Sequence, residues 1–264
     1  MLDLNEIRHY QPPADLLRGR VVAITGAGDG IGRALAVSAA GLGAEVVLIG
    51  RTVRRLEGVQ AEIGARASIA PLDLERALAP DYDQLAAAIV QRYGRLDGLV
   101  HNAAQLGTLA PIEQADMLSW CRVLHVNLTA AFALTQVLLP LLRQSVDASV
   151  VFTTSSVGRR GRAYWGAYAV SKFGVEGLCQ VLADELSGTS RVRVNALNPG
   201  PARTRMRRQA YPGEDAALLP EPAVLMPSYL WLLGPASAGV TGQSLDCQPP
   251  RAAAPPPAPA AAPA

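Results

Sequence analysis

Three polar side chains lie at spacings that could carry out proton transfer. Tyr168 and Lys172 are four positions apart, so on a helix their side chains share one face. A positive charge about 4 Å from a phenol contributes about 4 kcal/mol at an effective dielectric of 20. Because one pKa unit is about 1.4 kcal/mol, Lys172 could lower the pKa of Tyr168 by up to roughly two to three units, toward the working pH. Ser155, 13 residues before Tyr168, could hold a carbonyl oxygen beside it.

Lys172 is the single lysine among 24 basic residues. An ammonium differs from a guanidinium in shape, hydration and ease of titration, so retaining one lysine indicates a position that needs an ammonium. Chance is the alternative, since some position must hold the last lysine.

A glycine-rich turn precedes this group in the chain. Thr25-Gly26-Ala27-Gly28-Asp29-Gly30-Ile31-Gly32 follows an apolar, β-branched run and opens a helical stretch. Glycine lets the backbone approach a ligand closely, and the free N–H groups of a helix start attract phosphate. Strand, turn and helix together predict a dinucleotide site, with an ordinary tight turn as the alternative.

The end of the second predicted strand bears on which dinucleotide binds. An acidic residue there favours NAD, whereas this chain has Arg51, whose guanidinium suits a ribose 2′-phosphate. Arg33 and Arg54 are candidate helpers in binding this phosphate, whereas the carboxylate of Asp29 is mildly unfavourable for it. We predict NADP(H), with NAD(H) as the alternative if Arg51 is only a solvated loop residue.

These residues require a scaffold of alternating strands and helices. Such alternation, with nearly continuous apolar strands, predicts an α/β fold: one doubly wound domain with a mainly parallel seven-stranded sheet and helices on both faces. We assign residues 1–19 to an N-terminal extension, 20–248 to this domain and 249–264 to a disordered Ala/Pro tail. Strands are predicted at 21–25, 45–50, 67–72, 96–101, 149–154, 191–198 and 243–247, and helices at 31–42, 53–63, 82–93, 113–143, 166–188 and 222–233.

The motifs together resemble those of the short-chain dehydrogenase/reductase family over roughly residues 18–248. The turn is similar to the family's TGxxxGIG, residues 168–172 to its YxxxK, and residues 101–104 to its NNAG, although His101 and Ala104 depart from that pattern. The resemblance implies a Rossmann fold and a catalytic tetrad of Asn127, Ser155, Tyr168 and Lys172. It implies cofactor contacts by Gly26, Gly28, Asp29, Gly30, Ile31, Gly32, Arg51, Asp73, Leu74, Asn102, Ala103, Tyr168, Lys172, Pro199, Gly200 and Thr204.

The implied activity is hydride transfer between nicotinamide and a carbonyl or alcohol substrate, with Tyr168 as general acid/base. The alternative is a non-catalytic NADP-binding redox sensor. Residues 200–226 fall where the family has a mobile substrate lid. This stretch and residues 159–165 are rich in arginine, so we hypothesise an anionic substrate, against the alternative of solvated surface. Three other stretches, HYQP, FTTSSVGRRGRAYWGAYAVSKF and MPSYLWLLG, resemble one bacterial subgroup, which does not indicate the substrate.

Composition narrows the partners. The net charge of +2 argues against nucleic acid as a partner. The three cysteines form no CxxC pair, so we expect buried, reduced thiols and no metal site. We expect no targeting segment and no membrane association, because the apolar run at 126–142 contains Asn127 and Pro140 and suits a buried helix. We therefore expect a cytoplasmic protein. The helices at 113–143 and 166–188 are apolar on more than one face, which favours a homodimer or homotetramer.

Overall fold

A single parallel sheet forms the centre of the molecule. A computed structural model describes residues 2–249, so the predicted tail lies almost wholly outside the described residues. The sheet has seven strands in the order β3-β2-β1-β4-β5-β6-β7, and every neighbouring pair is parallel. The predicted α/β doubly wound fold is confirmed. The strands are β1 (Val21–Thr25), β2 (Glu45–Gly50), β3 (Ala67–Pro71), β4 (Gly98–His101), β5 (Ser149–Thr153), β6 (Arg193–Asn198) and β7 (Ser244–Asp246).

Helices cover both faces of the sheet. Alternate strand residues point to opposite faces, so Val21 and Ala23 of β1 join one buried core while Val22 and Ile24 join the other. The first core includes α4, α6 and α7; the second includes α1, α2, α3 and α9. The α-helices are α1 (Leu4–Arg8), α2 (Gly30–Gly41), α3 (Val53–Ile63), α4 (Ala79–Tyr93), α5 (Met117–Leu124), α6 (Ala130–Leu142), α7 (Gly166–Leu186), α8 (Arg205–Ala210) and α9 (Met226–Leu233).

The predicted long helix at 113–143 is interrupted in the structure. A 3₁₀ turn (Ile112–Gln114) precedes α5, and a π-helical segment (His125–Thr129) separates α5 from α6. π-Helical turns occur mostly as short insertions, often at functional sites. The prediction of one continuous helix is therefore wrong at Asn127, which lies in the π segment.

The N-terminal extension packs onto the domain. Ile7 and Leu17 are buried in the second core, and Arg8 donates to the Asp246 carbonyl of β7. Two helical stretches, Met117–Leu142 and Ala216–Leu233, are apolar and long enough to cross a membrane by length and composition alone. Leu134 and Leu138 of the first stretch are fully buried in the core, as expected of a core helix. Cys179 and Cys247 are buried, but Cys121 is exposed, so the prediction of buried thiols is wrong for Cys121.

Candidate active site

The site begins where the order of the strands reverses. β1 pairs with β2 on one side and with β4 on the other, which leaves a crevice beyond their carboxyl ends. The Thr25 hydroxyl closes the base of this crevice, because it accepts hydrogen bonds from the backbone N–H groups of Asn102 and Ala103, each at 3.0 Å. The Asn102 amide donates back to the Thr25 carbonyl at 3.1 Å. The glycine turn and the β4 loop are thereby held side by side.

Two glycines are required by this close packing. A Cβ on Gly32 would lie 2.3 Å from the Gly26 carbonyl oxygen and 2.6 Å from the Asn102 amide nitrogen. Gly26 has φ +67°, and a Cβ there would meet the Ala103 backbone at 3.0 Å. Asp29 caps the start of α2, accepting from the Gly30 N–H at 2.8 Å. The backbone of Gly28, Gly30 and Ile31 lines a groove at the N-terminus of α2, where exposed N–H groups fit a phosphate group.

A continuous groove runs from this turn to Tyr168. Fourteen of the predicted residues line it, and its lining also includes residues that were not predicted, such as Gln105, Arg55, Glu75 and Met206. Four predicted residues are absent from the lining: Gly32, Gly200, Asn127 and Ser155. The predicted lining residues are Gly26, Gly28, Asp29, Gly30, Ile31, Arg51, Asp73, Leu74, Asn102, Ala103, Tyr168, Lys172, Pro199 and Thr204.

Two arginines line the end of the groove near β2. Arg51 lies 3.6 Å from the Glu75 carboxylate, and Arg55, on the first turn of α3, lies 3.0 Å from that of Asp29. Arg33 is paired instead with Glu62 at 2.6 Å. Neither of the predicted helpers, Arg33 and Arg54, lines the groove, whereas Arg55 does. Its spacing of four from Arg51 was the available signal, because the first turn of a helix follows directly on the β2 loop.

Asp73 and its neighbours line the groove from the β3 side. The Asp73 carboxylate accepts from the Glu75 N–H at 3.2 Å, so it caps a turn and also faces the groove. The Gln105 amide donates to the Glu75 carboxylate at 2.7 Å, which links the β4 loop to the β3 loop across the groove. Both Glu75 and Gln105 were missed, since nothing in the local sequence distinguishes them.

Tyr168 lies at the other end of the groove, buried on α7. Burial raises the pKa of Tyr168 to about 12, and a side-chain hydrogen bond from Ser155 opposes that rise. The prediction of a pKa lowered toward neutrality is therefore wrong in this structure, because desolvation of the phenolate outweighs the hydrogen bond from Ser155. The hydroxyls of Ser155 and Tyr168 are nevertheless hydrogen-bonded neighbours, as the family resemblance implied.

Lys172 is buried one turn further along α7. Its ammonium donates to the Thr153 carbonyl at 2.7 Å and lies 5.7 Å from the centre of the Tyr168 ring. Burial lowers the pKa of Lys172 to about 8, while the nearby charge of Glu176 raises it. His101, where the family motif has Asn, is also buried, and burial together with the charge of Lys172 lowers its pKa to about 3. His101 is therefore neutral and stacks on Phe152.

Asn127 connects α7 to the β4 loop. Its amide nitrogen donates to the Gln105 carbonyl and to the Ser171 hydroxyl, each at 2.9 Å, and its oxygen accepts from the Gln105 N–H at 2.7 Å. Ser171 in turn donates to the Tyr168 carbonyl at 2.7 Å. The π segment thus directs Asn127 into a bridge between Gln105 and the backbone that carries Tyr168.

The stretch after β6 forms the outer wall of the groove. Gly200 has φ +70° in the turn, and Thr204 caps α8 by accepting from the Arg207 N–H at 3.1 Å. Beyond α8, Tyr211 lies 5.9 Å from the Trp165 ring, and Trp165 packs edge-on against Tyr168 at 5.7 Å. The predicted lid is thereby in contact with the segment that precedes Tyr168.

Several arginines near the mouth are engaged within the protein. Arg207 stacks 3.7 Å above the Tyr211 ring and binds the Glu214 carboxylate at 2.5 and 2.7 Å. Arg203 pairs with Glu221 at 2.5 Å, and Arg159 pairs with Glu176 and Asp246 at 3.2 and 3.0 Å. Their charges are thus already matched by carboxylates. Arg205 lines the groove beside Thr204 and Met206.

The fold and the groove together define a class of protein: a doubly wound α/β domain with a nucleotide-sized crevice at its switch point and a Ser–Tyr–Lys group at one end. Comparison with known proteins gives the family. Residues 20–215 match the short chain dehydrogenase family model, and the chain belongs to that family of oxidoreductases.

Individual relatives show the same kinship. The chain is 49% identical over 247 residues to the oxidoreductase YciK of Escherichia coli (strain K12), covering 92% of this chain and 97% of that one. It is 48% identical, with a TM-score of 0.87, to a short chain dehydrogenase from Shigella flexneri 2a str. 301 whose crystal structure is a complex with NADP. A short chain dehydrogenase from Escherichia coli CFT073, complexed with NADPH, is 49% identical with a TM-score of 0.87. Both matches cover 90% of this chain and 100% of the neighbour. The YciK type is the bacterial subgroup that the three sequence stretches resemble.

Proposed function

We propose that this chain is an NADP(H)-dependent oxidoreductase in which Tyr168 transfers the proton while a hydride passes between nicotinamide and a carbonyl or alcohol carbon. One observation carries the proposal: a single groove joins the glycine turn and two arginines at one end to Tyr168 and Lys172 at the other. The two crystallised neighbours complexed with NADP and NADPH support the cofactor assignment.

The groove fits the cofactor on its own geometry. The backbone of Gly28, Gly30 and Ile31, which lines the groove at the start of α2, suits the pyrophosphate. Arg51 and Arg55 suit the ribose 2′-phosphate. Asp73 and Leu74 would lie against the adenine, and Asn102, Pro199 and Thr204 would line the nicotinamide end. When bound, the nicotinamide supplies or accepts the hydride.

The protein's own residues handle the proton. With a pKa of about 12, the Tyr168 hydroxyl is protonated at neutral pH and is suited to donate its proton to a carbonyl oxygen. Ser155 would hold that oxygen beside Tyr168, and the ammonium of Lys172 would stabilise the phenolate left behind. The hydrogen bonds of Asn127 to Gln105 and, through Ser171, to the Tyr168 carbonyl fix the position of the Tyr168 backbone relative to Gln105.

The substrate end of the groove is apolar. Leu106, Val157 and Ala169 are buried around Tyr168, and Trp165, Met206 and Ala210 pack against them. We propose a carbonyl or alcohol substrate with an apolar body at this place. An anionic group on the substrate would meet Arg205, since Arg207 and Arg203 are held by Glu214 and Glu221.

The outer face of α7 supports self-association. Val170, Phe173 and Val181 are each about half exposed and follow one stripe of the helix, and Phe132 of α6 is exposed as well. We propose that a second copy of the chain covers this stripe in a homodimer or homotetramer. We also propose that the protein is cytoplasmic.

Substituting Tyr168 by Phe tests the catalytic assignment. A positioned acid or base contributes about 10²–10⁴-fold, so turnover of a panel of ketones and aldehydes with NADPH is expected to fall at least about 100-fold. NADPH affinity, measured by nicotinamide fluorescence, is expected to change less than about threefold. Tyr164→Phe is the matched control, because Tyr164 is 61% exposed outside the groove. Residual turnover in Tyr168→Phe equal to that of the control would refute the role of Tyr168.

A further inference from the structure

A buried carboxylate lies behind the lysine of the site. Glu176 follows Lys172 by four positions on α7, so their side chains share one face of the helix. Glu176 is 7% exposed and Lys172 is 3% exposed, so water screens their charges weakly. A buried ionised carboxylate requires hydrogen-bonding partners to offset the loss of hydration.

Glu176 has such partners on two other elements. The Ser244 hydroxyl of β7 donates to its Oε1 at 2.9 Å, and Arg159 Nε donates to the same oxygen at 3.2 Å. Arg159 follows Ser155 by four residues and also binds both oxygens of Asp246 at 3.0 Å and the Leu245 carbonyl at 3.0 Å. The carboxylate is therefore fixed between the Ser155 segment, the catalytic helix and the last strand.

We propose that Glu176 is a positioning residue of the reaction: its fixed, buried carboxylate holds the ammonium of Lys172 in the charged form that stabilises the Tyr168 phenolate. The inference rests on the proposed role of Lys172 and assigns the protein's last strand a part in the chemistry, since Ser244 and Asp246 hold Glu176 and Arg159 in place. In this proposal Arg159 supports Glu176 rather than contacting the substrate.

The charges around the pair set the direction of the effect. Lys172 faces Tyr168 on its own helix and His101 at the end of β4, which is neutral. Glu176 faces Lys172 and Cys179 on α7, Arg159 from the Ser155 segment, and Asp246 on β7 through Arg159. Burial lowers the pKa of Lys172 and Glu176 raises it. Arg159 offsets part of the Glu176 charge, so the expected contribution is at the low end of the usual one to three units, about one.

The single lysine makes this measurable without turnover. Full-length protein labelled with [¹³Cε]lysine carries one such resonance, from Lys172. Its pH titration is followed in the wild type and in Glu176→Gln, with and without saturating NADP⁺. The expected result is a Lys172 pKa about one unit lower in Glu176→Gln, a tenfold loss of proton affinity. Glutamine keeps an oxygen that accepts from Ser244 and Arg159, so the change removes chiefly the charge.

Direction separates this role from a structural one. Loss of packing would admit water and move the Lys172 pKa up, toward 10.5. Glu176→Asp keeps the charge and is expected to titrate near the wild type. Glu185→Gln is the matched control, because Glu185 is exposed on the same helix about 20 Å from Lys172 along the helix axis. Arg159→Gln removes the offsetting cation and is expected to raise the Lys172 pKa, which provides a second readout if Glu176→Gln does not fold.

An unchanged or raised pKa in Glu176→Gln, or an equal change in Glu185→Gln, would overturn the proposal. The alkaline limb of the activity profile is expected to move to lower pH by the same amount in Glu176→Gln. Absence of any NADPH-dependent turnover in the wild type would instead refute the proposed function, and the resonance of Lys172 would still report its coupling to Glu176.

Discussion

Replacing Arg51 by Ala is expected to weaken NADPH binding much more than NADH binding. Arg51 lines the groove beyond β2, where a ribose 2′-phosphate would lie, and NADH lacks that phosphate. A hydrogen bond to a charged group is worth about 1.5–3 kcal/mol. The Arg51 side chain is 55% exposed, so solvent screening places the loss at the low end, about 1.5 kcal/mol. Since 1.4 kcal/mol is tenfold in affinity, the NADPH Kd is expected to rise about tenfold.

The carboxylates that already bind Arg51 and Arg55 affect the expected loss of NADPH affinity. To bind the phosphate, Arg51 would have to give up its ion pair with Glu75. An exposed ion pair of this kind is worth about 0–1 kcal/mol, so losing it costs little. Arg55 is bound by Asp29 at 3.0 Å and must share its charge, so Arg55→Ala is expected to raise the NADPH Kd about threefold to tenfold. Both losses are expected to shrink at high salt, because exposed charges are screened.

The assay is a fluorescence titration of each variant with NADPH and with NADH. Arg54→Ala is the matched control: it removes the same charge from the same turn of α3, but Arg54 is not among the groove-lining residues that the structure describes between 2 and 249. Its Kd values are expected to stay within about twofold of the wild type. The reasoning is refuted if Arg51→Ala and Arg55→Ala behave like Arg54→Ala, or if NADH affinity falls as far as NADPH affinity.

Two further pairs of substitutions test the packing of the glycine turn and the proposed self-association. Gly32→Ala places a methyl group against the Gly26 carbonyl, and overpacking of this kind costs about 1–3 kcal/mol, so calorimetry is expected to show Tm lower by at least about 2 °C. Gly41→Ala, on the same helix with open space around it, is expected to raise Tm, and an equal fall in both variants would contradict the packing argument. Phe173→Glu is expected to reduce the oligomer to smaller species in sedimentation velocity, whereas Leu78→Glu, at an exposed apolar position on another element, is expected to leave it intact; a monomeric wild type would exclude the proposed self-association.

Local sequence determined the scaffold and much of the groove. Glycines between an apolar strand and a helix allow a tight turn that the backbone of a ligand site requires, so the glycine turn that lines the groove was predictable from the local sequence. The same is true of Tyr168 and Lys172, because a helix brings positions i and i+4 together wherever it packs. The alternation of strands and helices likewise predicted a parallel sheet with two covered faces.

Tertiary packing decided the remaining features. The direction in which α3 leaves the β2 loop decides which second arginine lines the groove with Arg51. Arg55 lines it, whereas Arg33 and Arg54 do not. The π segment at Asn127 is paired with Gln105 and Ser171, which are distant in sequence. These pairings depend on long-range packing, which local periodicity does not encode.

Electrostatics depended most on the tertiary structure. The sequence placed a cation beside Tyr168 and predicted a lowered pKa, but burial raises the pKa of Tyr168 to about 12. Desolvation depends on all the elements that pack around a group, and sequence spacing gives only the near neighbours on one helix. The contacts of Glu176 with Arg159 and Ser244 have the same origin, since Ser244 lies on β7, which pairs with β6 at the edge of the sheet and is distant in sequence from α7.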